Sequence, residues 1–111
     1  QIEQVMVNLC DNGLRYSEQN TGEKRIQLLV GATPDGERAR IDIRDFGAGI
    51  APEYRNSVFE PFFTLDKNGT GLGLYLAREL CEANQAHLSL VEDEQPGCRF
   101  RITFAHPGRM I

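Results

Sequence analysis

Apolar residues recur at two different periods along this chain. Near the start, Ile2, Val5, Met6 and Leu9 follow helical spacing and form one stripe, which predicts a helix over residues 1–16. Residues 17–24, Ser-Glu-Gln-Asn-Thr-Gly-Glu-Lys, are polar and read as a connector. Residues 25–31, rich in Ile, Leu and Val, suit a strand, and Thr33-Pro34-Asp35-Gly36-Glu37 is a turn signal. Residues 38–45 alternate, with Ala39, Ile41 and Ile43 against Arg38, Arg40, Asp42 and Arg44. That is a half-buried strand, and with the previous one it reads as a hairpin. A short helix is expected from about Pro52, with the proline in its first turn. Residues 59–71 are loop-like, and the helical period returns over 72–85 through Leu72, Leu76, Leu80 and Ala83. Leu88 and Leu90, then Phe100, Ile102 and Phe104, mark two further strands around the turn Glu94-Gln95-Pro96-Gly97. The tail from His106 reads as frayed. The order α-β-β-(α)-α-β-β predicts an α/β sandwich: a mixed, largely antiparallel sheet covered on one face by helices.

Composition narrows the partners. The chain has 111 residues, 41% hydrophobic and 25% charged, enough for one modest domain with a core. A formal net charge of −4 without a Lys/Arg cluster argues against nucleic acid as the main partner. No apolar run approaches the ~18 residues a membrane span needs. Cys10, Cys81 and Cys98 are far apart, with no CxxC or Cys/His metal spacing, so neither a disulfide framework nor a zinc site is expected. A reducing, cytoplasmic compartment fits that usage. Cys10 and Cys81 lie in helical patterns and are expected in or beside the core. The opening Gln1-Ile2-Glu3-Gln4 has no start Met or cap, so residues 1–111 are expected to be one domain of a longer protein.

Several short stretches could carry chemistry. In Gly69-Thr70-Gly71-Leu72-Gly73-Leu74, three glycines lead into a helix, whose first N–H groups and positive dipole end suit a phosphate. A tight turn before a buried helix is the ordinary reading. Asn8 and Asn12 stand four apart on one helix face, offset from the apolar stripe. Two Asn within a helix are either surface amides or oxygen ligands for a hard cation such as Mg²⁺. Arg15 could pair with phosphate, and the Tyr16 ring could cover a base or ribose. In Asp45-Phe46-Gly47-Ala48-Gly49-Ile50, the residue types also fit an ordinary turn. As a site, the carboxylate would accept a hydrogen bond from the exocyclic amine of adenine, and the glycines would let the ring approach. Guanine would set a carbonyl against that carboxylate, at a cost of ~1–3 kcal/mol. Phe59-Glu60-Pro61-Phe62-Phe63 reads as an aromatic cluster pinning a loop. The following Thr64 to Asn68 would be a short lid, from which Lys67 could reach a phosphate. Neither His87 nor His106 sits in a nucleophile-like or ligand-like setting, and there is no GxxxxGK[ST] loop.

Together these segments closely resemble the catalytic, ATP-binding domain of sensor histidine kinases. Asn8 to Ser17 is similar to that family's N box, Asp45 to Ile50 to its first glycine box, Phe59 to Phe63 to its F box, and Gly69 to Leu74 to its second glycine box. All four occur in the family's order and cover nearly the whole chain. The lid length and the stretch Tyr75 to Asn84 look most like sensor kinases of type IV pilus expression, with nitrogen-regulation kinases next. The resemblance implies a Bergerat-type fold and binding of Mg-ATP. It also implies transfer of the γ-phosphate to a histidine on a separate dimerisation domain, which this chain lacks, in two-component signalling. A response regulator would then be reached through that domain. The parent would be a dimeric, membrane-anchored sensor with this segment in the cytoplasm, itself touching no membrane.

By the same resemblance Asn12 holds the metal, and Asn8 and Arg15 act on phosphates as the catalytic pair. Asp45 reads adenine, with Tyr16, Gly47, Gly49 and Ile50 around the nucleotide. Lys67, Gly69, Thr70, Gly71, Leu72 and Gly73 face the phosphates. The chain departs from the family at Gly13 (usually Ala), at Phe46 and Ala48 (commonly Asn and Pro), and at Leu65-Asp66-Lys67 in the lid. The family's first strand, which precedes the N box, is expected to be missing. An ATP hydrolase of the same fold is the first rival; those enzymes carry a Glu where this chain has Asn8, which is no general base. A serine kinase of the anti-sigma type and a non-catalytic nucleotide-sensing module are the others.

Overall fold

The computed structural model describes residues 2–64, 70–93 and 95–105. Two helices lie on one face of a four-stranded sheet. Helix α1 runs Ile2–Thr21 and helix α2 Gly73–Ala83; the strands are β1 Ile26–Ala32, β2 Ala39–Asp45, β3 Ala86–Val91 and β4 Arg99–Phe104. A single 3-10 turn, Pro52–Tyr54, sits where the short helix was expected. The spatial order is β1-β2-β4-β3, and every described neighbour pair is antiparallel. The expected hairpin is present, with Ile26 opposite Asp45 and Ala32 opposite Ala39. The sheet is thus wholly antiparallel among the described strands, rather than mixed. Of the expected lid, Thr64 to Asn68, all but Thr64 lies outside the described residues, Lys67 included, as do Gly69 and the tail from His106.

Two patterns differ from their sequence reading. Helix α1 continues to Thr21, through residues expected to form a connector. The stretch has no apolar anchor, but Ser17 is fully buried and takes that place. Its hydroxyl donates to the Arg25 carbonyl at 2.6 Å and accepts the Phe46 N–H at 2.8 Å, so the last turns stay docked. Helix α2 is rotated from its leucine stripe: Leu76 is 49% exposed, while Ala77 and Cys81 are buried. Small side chains there let α2 lie close to α1.

The core lies between the helices and the inner sheet face. Val5 and Leu9 of α1 meet Ile43, Leu88 and Ile102 of the sheet and Ala77 and Cys81 of α2. Cys10 is half-buried, as expected. On the open face a different logic holds. Asp42 is completely buried among Arg40, Arg99 and Arg101, each forming an ion pair with it at 2.6–2.8 Å. Arg44 pairs with Asp93 at 3.0 Å on the same face.

Candidate functional site

Asp45 closes strand β2 and is 4% exposed. Its Oδ1 accepts two backbone N–H groups, from Gly47 at 2.9 Å and from Cys98 at 3.0 Å. Its own N–H donates to the Cys98 carbonyl at 2.9 Å. The carboxylate is therefore fixed through one oxygen, and Oδ2 has no hydrogen-bond partner among the described residues. Gly13, on the buried side of α1, lets the helix backbone approach the Asp45 and Ile26 side chains.

This carboxylate lines a cavity of about 820 Å³, a size that suits a nucleotide-scale ligand. Five separate stretches build the wall, one of them the aromatic segment with Val58, Phe63 and Thr64. Helix α1 contributes Leu9, Asn12, Arg15, Tyr16 and Asn20; the loop after β2 contributes Gly47, Gly49 and Ile50. Thr70, Gly71 and Gly73 come from the entry to α2, and Cys98 from the entry to β4. Helix α2 begins at this wall with no side chain among the described residues capping it, which leaves its first N–H groups free of such a cap at the cavity. Thr70 Oγ1 accepts the Leu72 N–H at 3.2 Å and shapes the approach.

The aromatic segment anchors that approach. Phe59 is buried with its ring edge-on to Phe100 at 6.1 Å, and Arg78 lies 5.3 Å from the Phe59 ring. Phe63 meets Tyr54 at 5.8 Å. Phe62 does not join the cluster. It sits at φ 68°, is 73% exposed, and its N–H donates to the Gly71 carbonyl at 2.8 Å. The left-handed backbone that makes this bond turns the ring outward. Gly71, at φ 76°, lies so close to the Phe62 backbone that a Cβ would overlap it.

Most of the expected site residues come together: Asn12, Arg15, Tyr16, Asp45, Gly47, Gly49, Ile50, Thr70, Gly71 and Gly73 all line the cavity. Asn12 Oδ1 accepts a long 3.4 Å contact from Arg15, whose guanidinium stands 5.1 Å from the Tyr16 ring. Two expected residues stand back. Asn8 is a turn earlier on α1, off the cavity wall, and its amide oxygen accepts from Gln4 at 3.1 Å. Leu72 is half-buried behind the wall as the residue before α2. Sequence reasoning missed Cys98, although Pro96-Gly97 announced a turn there. Burial, and next the Asp45 charge, push the Cys98 thiol up to about 12, so it remains protonated at neutral pH. Among the described residues no three His, Cys, Asp or Glu side chains cluster as a metal site. A single amide oxygen at Asn12 fits Mg²⁺, which takes most of its ligands from phosphates and water.

A helix-covered antiparallel sheet with a cavity of this size defines a class that can take a nucleotide-scale ligand, and the family comparison narrows it. Residues 1–108 match the model of the histidine kinase-, DNA gyrase B- and HSP90-like ATPases, and the chain belongs to that family. Within it, the relatives that the chain resembles are sensor histidine kinases, of which it spans less than a third. It is 46% identical over 110 residues to the sensor protein kinase PilS of Pseudomonas aeruginosa, covering 99% of this chain and 21% of that protein. It is 35% identical over 108 residues to the histidine protein kinase SaeS of Staphylococcus aureus, covering 92% of this chain and 30% of that protein. Among solved structures, the catalytic domain of histidine kinase ThkA aligns with a TM-score of 0.74 at 25% identity, over 95% of this chain and 66% of that one. Full-length ShkA in complex with AMPPNP aligns with a TM-score of 0.71 at 28% identity, over 91% of this chain and 20% of that one. No described helix is long and apolar enough to cross a membrane.

Proposed function

We propose that the domain binds Mg-ATP in this cavity and presents the γ-phosphate to a histidine on a separate dimerisation domain. The observation that carries the reading is Asp45: a buried carboxylate lining the cavity, fixed through one oxygen by two backbone N–H groups, its other oxygen without a hydrogen-bond partner among the described residues. Such an acceptor suits the adenine amine and opposes the guanine carbonyl. Asn12 would hold Mg²⁺ together with the nucleotide phosphates. Arg15 and the uncapped start of α2 would receive the phosphate charge, and Tyr16 would cover the sugar or base. Asn8, a turn away, would act on phosphates through water. Catalysis is then positioning and charge neutralisation, which is what phosphoryl transfer demands. The phosphohistidine would pass its group to a response regulator, within a dimeric, membrane-anchored sensor whose cytoplasmic portion holds this domain.

Binding and transfer test this directly. Mg-ATP should bind at least about tenfold better than Mg-GTP, and Asp45→Asn should erase most of that preference. Equal affinity of the wild-type chain for both nucleotides would sink the adenine-reading role. Mixed with a cognate histidine-bearing domain and labelled ATP, the chain should yield phosphohistidine. Brisk ATP hydrolysis without any transfer would instead favour the hydrolase reading.

A further inference from the structure

The peptide that follows Asp45 is gripped from three sides by residues beyond the adenine-reading carboxylate. Ser17, near the end of α1, is completely buried and does not line the cavity. Its hydroxyl accepts the Phe46 N–H at 2.8 Å while donating to the Arg25 carbonyl at 2.6 Å. One hydroxyl has one proton to give, and here it is committed to Arg25, leaving its oxygen to receive Phe46. Asn20, one turn on, donates its amide N–H to the Phe46 carbonyl at 3.0 Å. The Arg25 guanidinium lies 4.5 Å from the Phe46 ring, within cation–π range.

Phe46 stands between Asp45 and Gly47, the residue whose N–H holds Asp45 Oδ1 at 2.9 Å. Peptide units are planar, so fixing both the N–H and the carbonyl of Phe46 fixes the two peptide planes that flank it. The first of these leaves Asp45 and the second enters Gly47. The direction of the carboxylate is thereby set from α1 rather than from the cavity wall alone. From these contacts we infer that Ser17 is a positioning residue for purine selection, aiming the Asp45 carboxylate by holding the Phe46 peptide to helix α1. This rests on the adenine-reading role of Asp45 proposed above.

The test measures Kd for Mg-ATP and for Mg-GTP in the full chain, with thermal unfolding followed in parallel. Ser17→Ala leaves the Phe46 N–H and the Arg25 carbonyl without their partner. It should weaken ATP binding about tenfold and shrink the ATP-over-GTP preference by a similar factor. Ser17→Thr, which keeps the hydroxyl, should restore both. A folded Ser17→Ala chain with a lowered Tm but an unchanged preference would show a purely structural tie and overturn the inference. So would a Thr variant as defective as the Ala variant. If Ser17→Ala does not fold, Asn20→Ala decides. Loss of a direct nucleotide contact at Asn20 would weaken both nucleotides equally and count against the inference, whereas a narrowed preference supports it. Asp45→Asn separates the two proposals: a preference that survives it removes the adenine-reading role itself, whatever Ser17 does.

Discussion

At the residue scale, Gly97 shows how little room the site leaves. It sits at φ 89°, and a Cβ there would overlap the Asp45 carbonyl oxygen. Gly97→Ala must therefore either adopt a backbone that L side chains avoid or push the loop off Asp45. The expected cost is about 2 kcal/mol, read as a fall in Tm of roughly 10 °C, together with weaker ATP binding. An unchanged Tm and Kd would contradict the contact. In the sequence, Gly97 is a turn glycine after Pro96 and no more than that. The residue it serves lies on another strand, and the Cys98 N–H that reaches Asp45 spans 53 positions. Local pattern reports what a residue can adopt; it does not report which distant backbone comes to rest against it. The same holds for Ser17, whose polar neighbourhood looked like a connector because its bonds to Arg25 and Phe46 are tertiary.

At the element scale, strand β2 was legible and its environment was not. The alternation of Ile41 and Ile43 with Arg40, Asp42 and Arg44 correctly placed one face inward. It implied that the other face is wet. Instead Asp42 is fully buried and Arg44 is 4% exposed, because β4 sets Arg99 and Arg101 beside them in antiparallel register. Burial pushes the Asp42 carboxyl upward, but the hydrogen bonds from Arg101 and Arg99 together hold it below the ordinary carboxylate range. A carboxyl depressed in the folded state stabilises at pH above its unfolded value, about 3.9. That contribution is lost as pH falls from there through the lower folded value. Stability should accordingly drop below about pH 4. Asp42→Asn should remove most of that acid-side slope and cost about 3 kcal/mol at pH 7, since three guanidinium groups lose their shared partner. Urea titrations at pH 7 and pH 3 check both statements; identical slopes in wild type and variant would refute them. Strand β1 shows the converse. Leu28 and Val30 point to the helix side yet are 52% and 79% exposed, because helix α1 lies over β2 more than over this edge strand.

At the scale of the whole molecule, the element order and the convergence of the boxes were readable before any coordinates. The N box lies within α1, while the other boxes sit between elements, where glycine, proline and polar residues interrupt a clear apolar period. The antiparallel sheet then brings the entries to β4 and α2 and the exit of β2 to one rim, beside α1. What the pattern leaves open is the depth of each residue. Asn8 and Asn12 share a helix face, yet one turn of rise puts only Asn12 on the wall. The motif names a stretch, while the curvature of the wall selects within it.

The Phe62 N–H bonded to the Gly71 carbonyl has a consequence for chain length. It joins the two ends of the intervening segment directly, as a clasp closes a loop of cord. Beyond such a clasp, extra residues enlarge only the loop and leave the anchors unloaded. Closure entropy grows slowly, by about 0.6 kcal/mol for each doubling. Inserting four Gly-Ser residues between Asn68 and Gly69 should therefore lower Tm by no more than about 3–5 °C. A large loss of stability in that variant would mean that the segment itself, rather than its clasped ends, carries the fold.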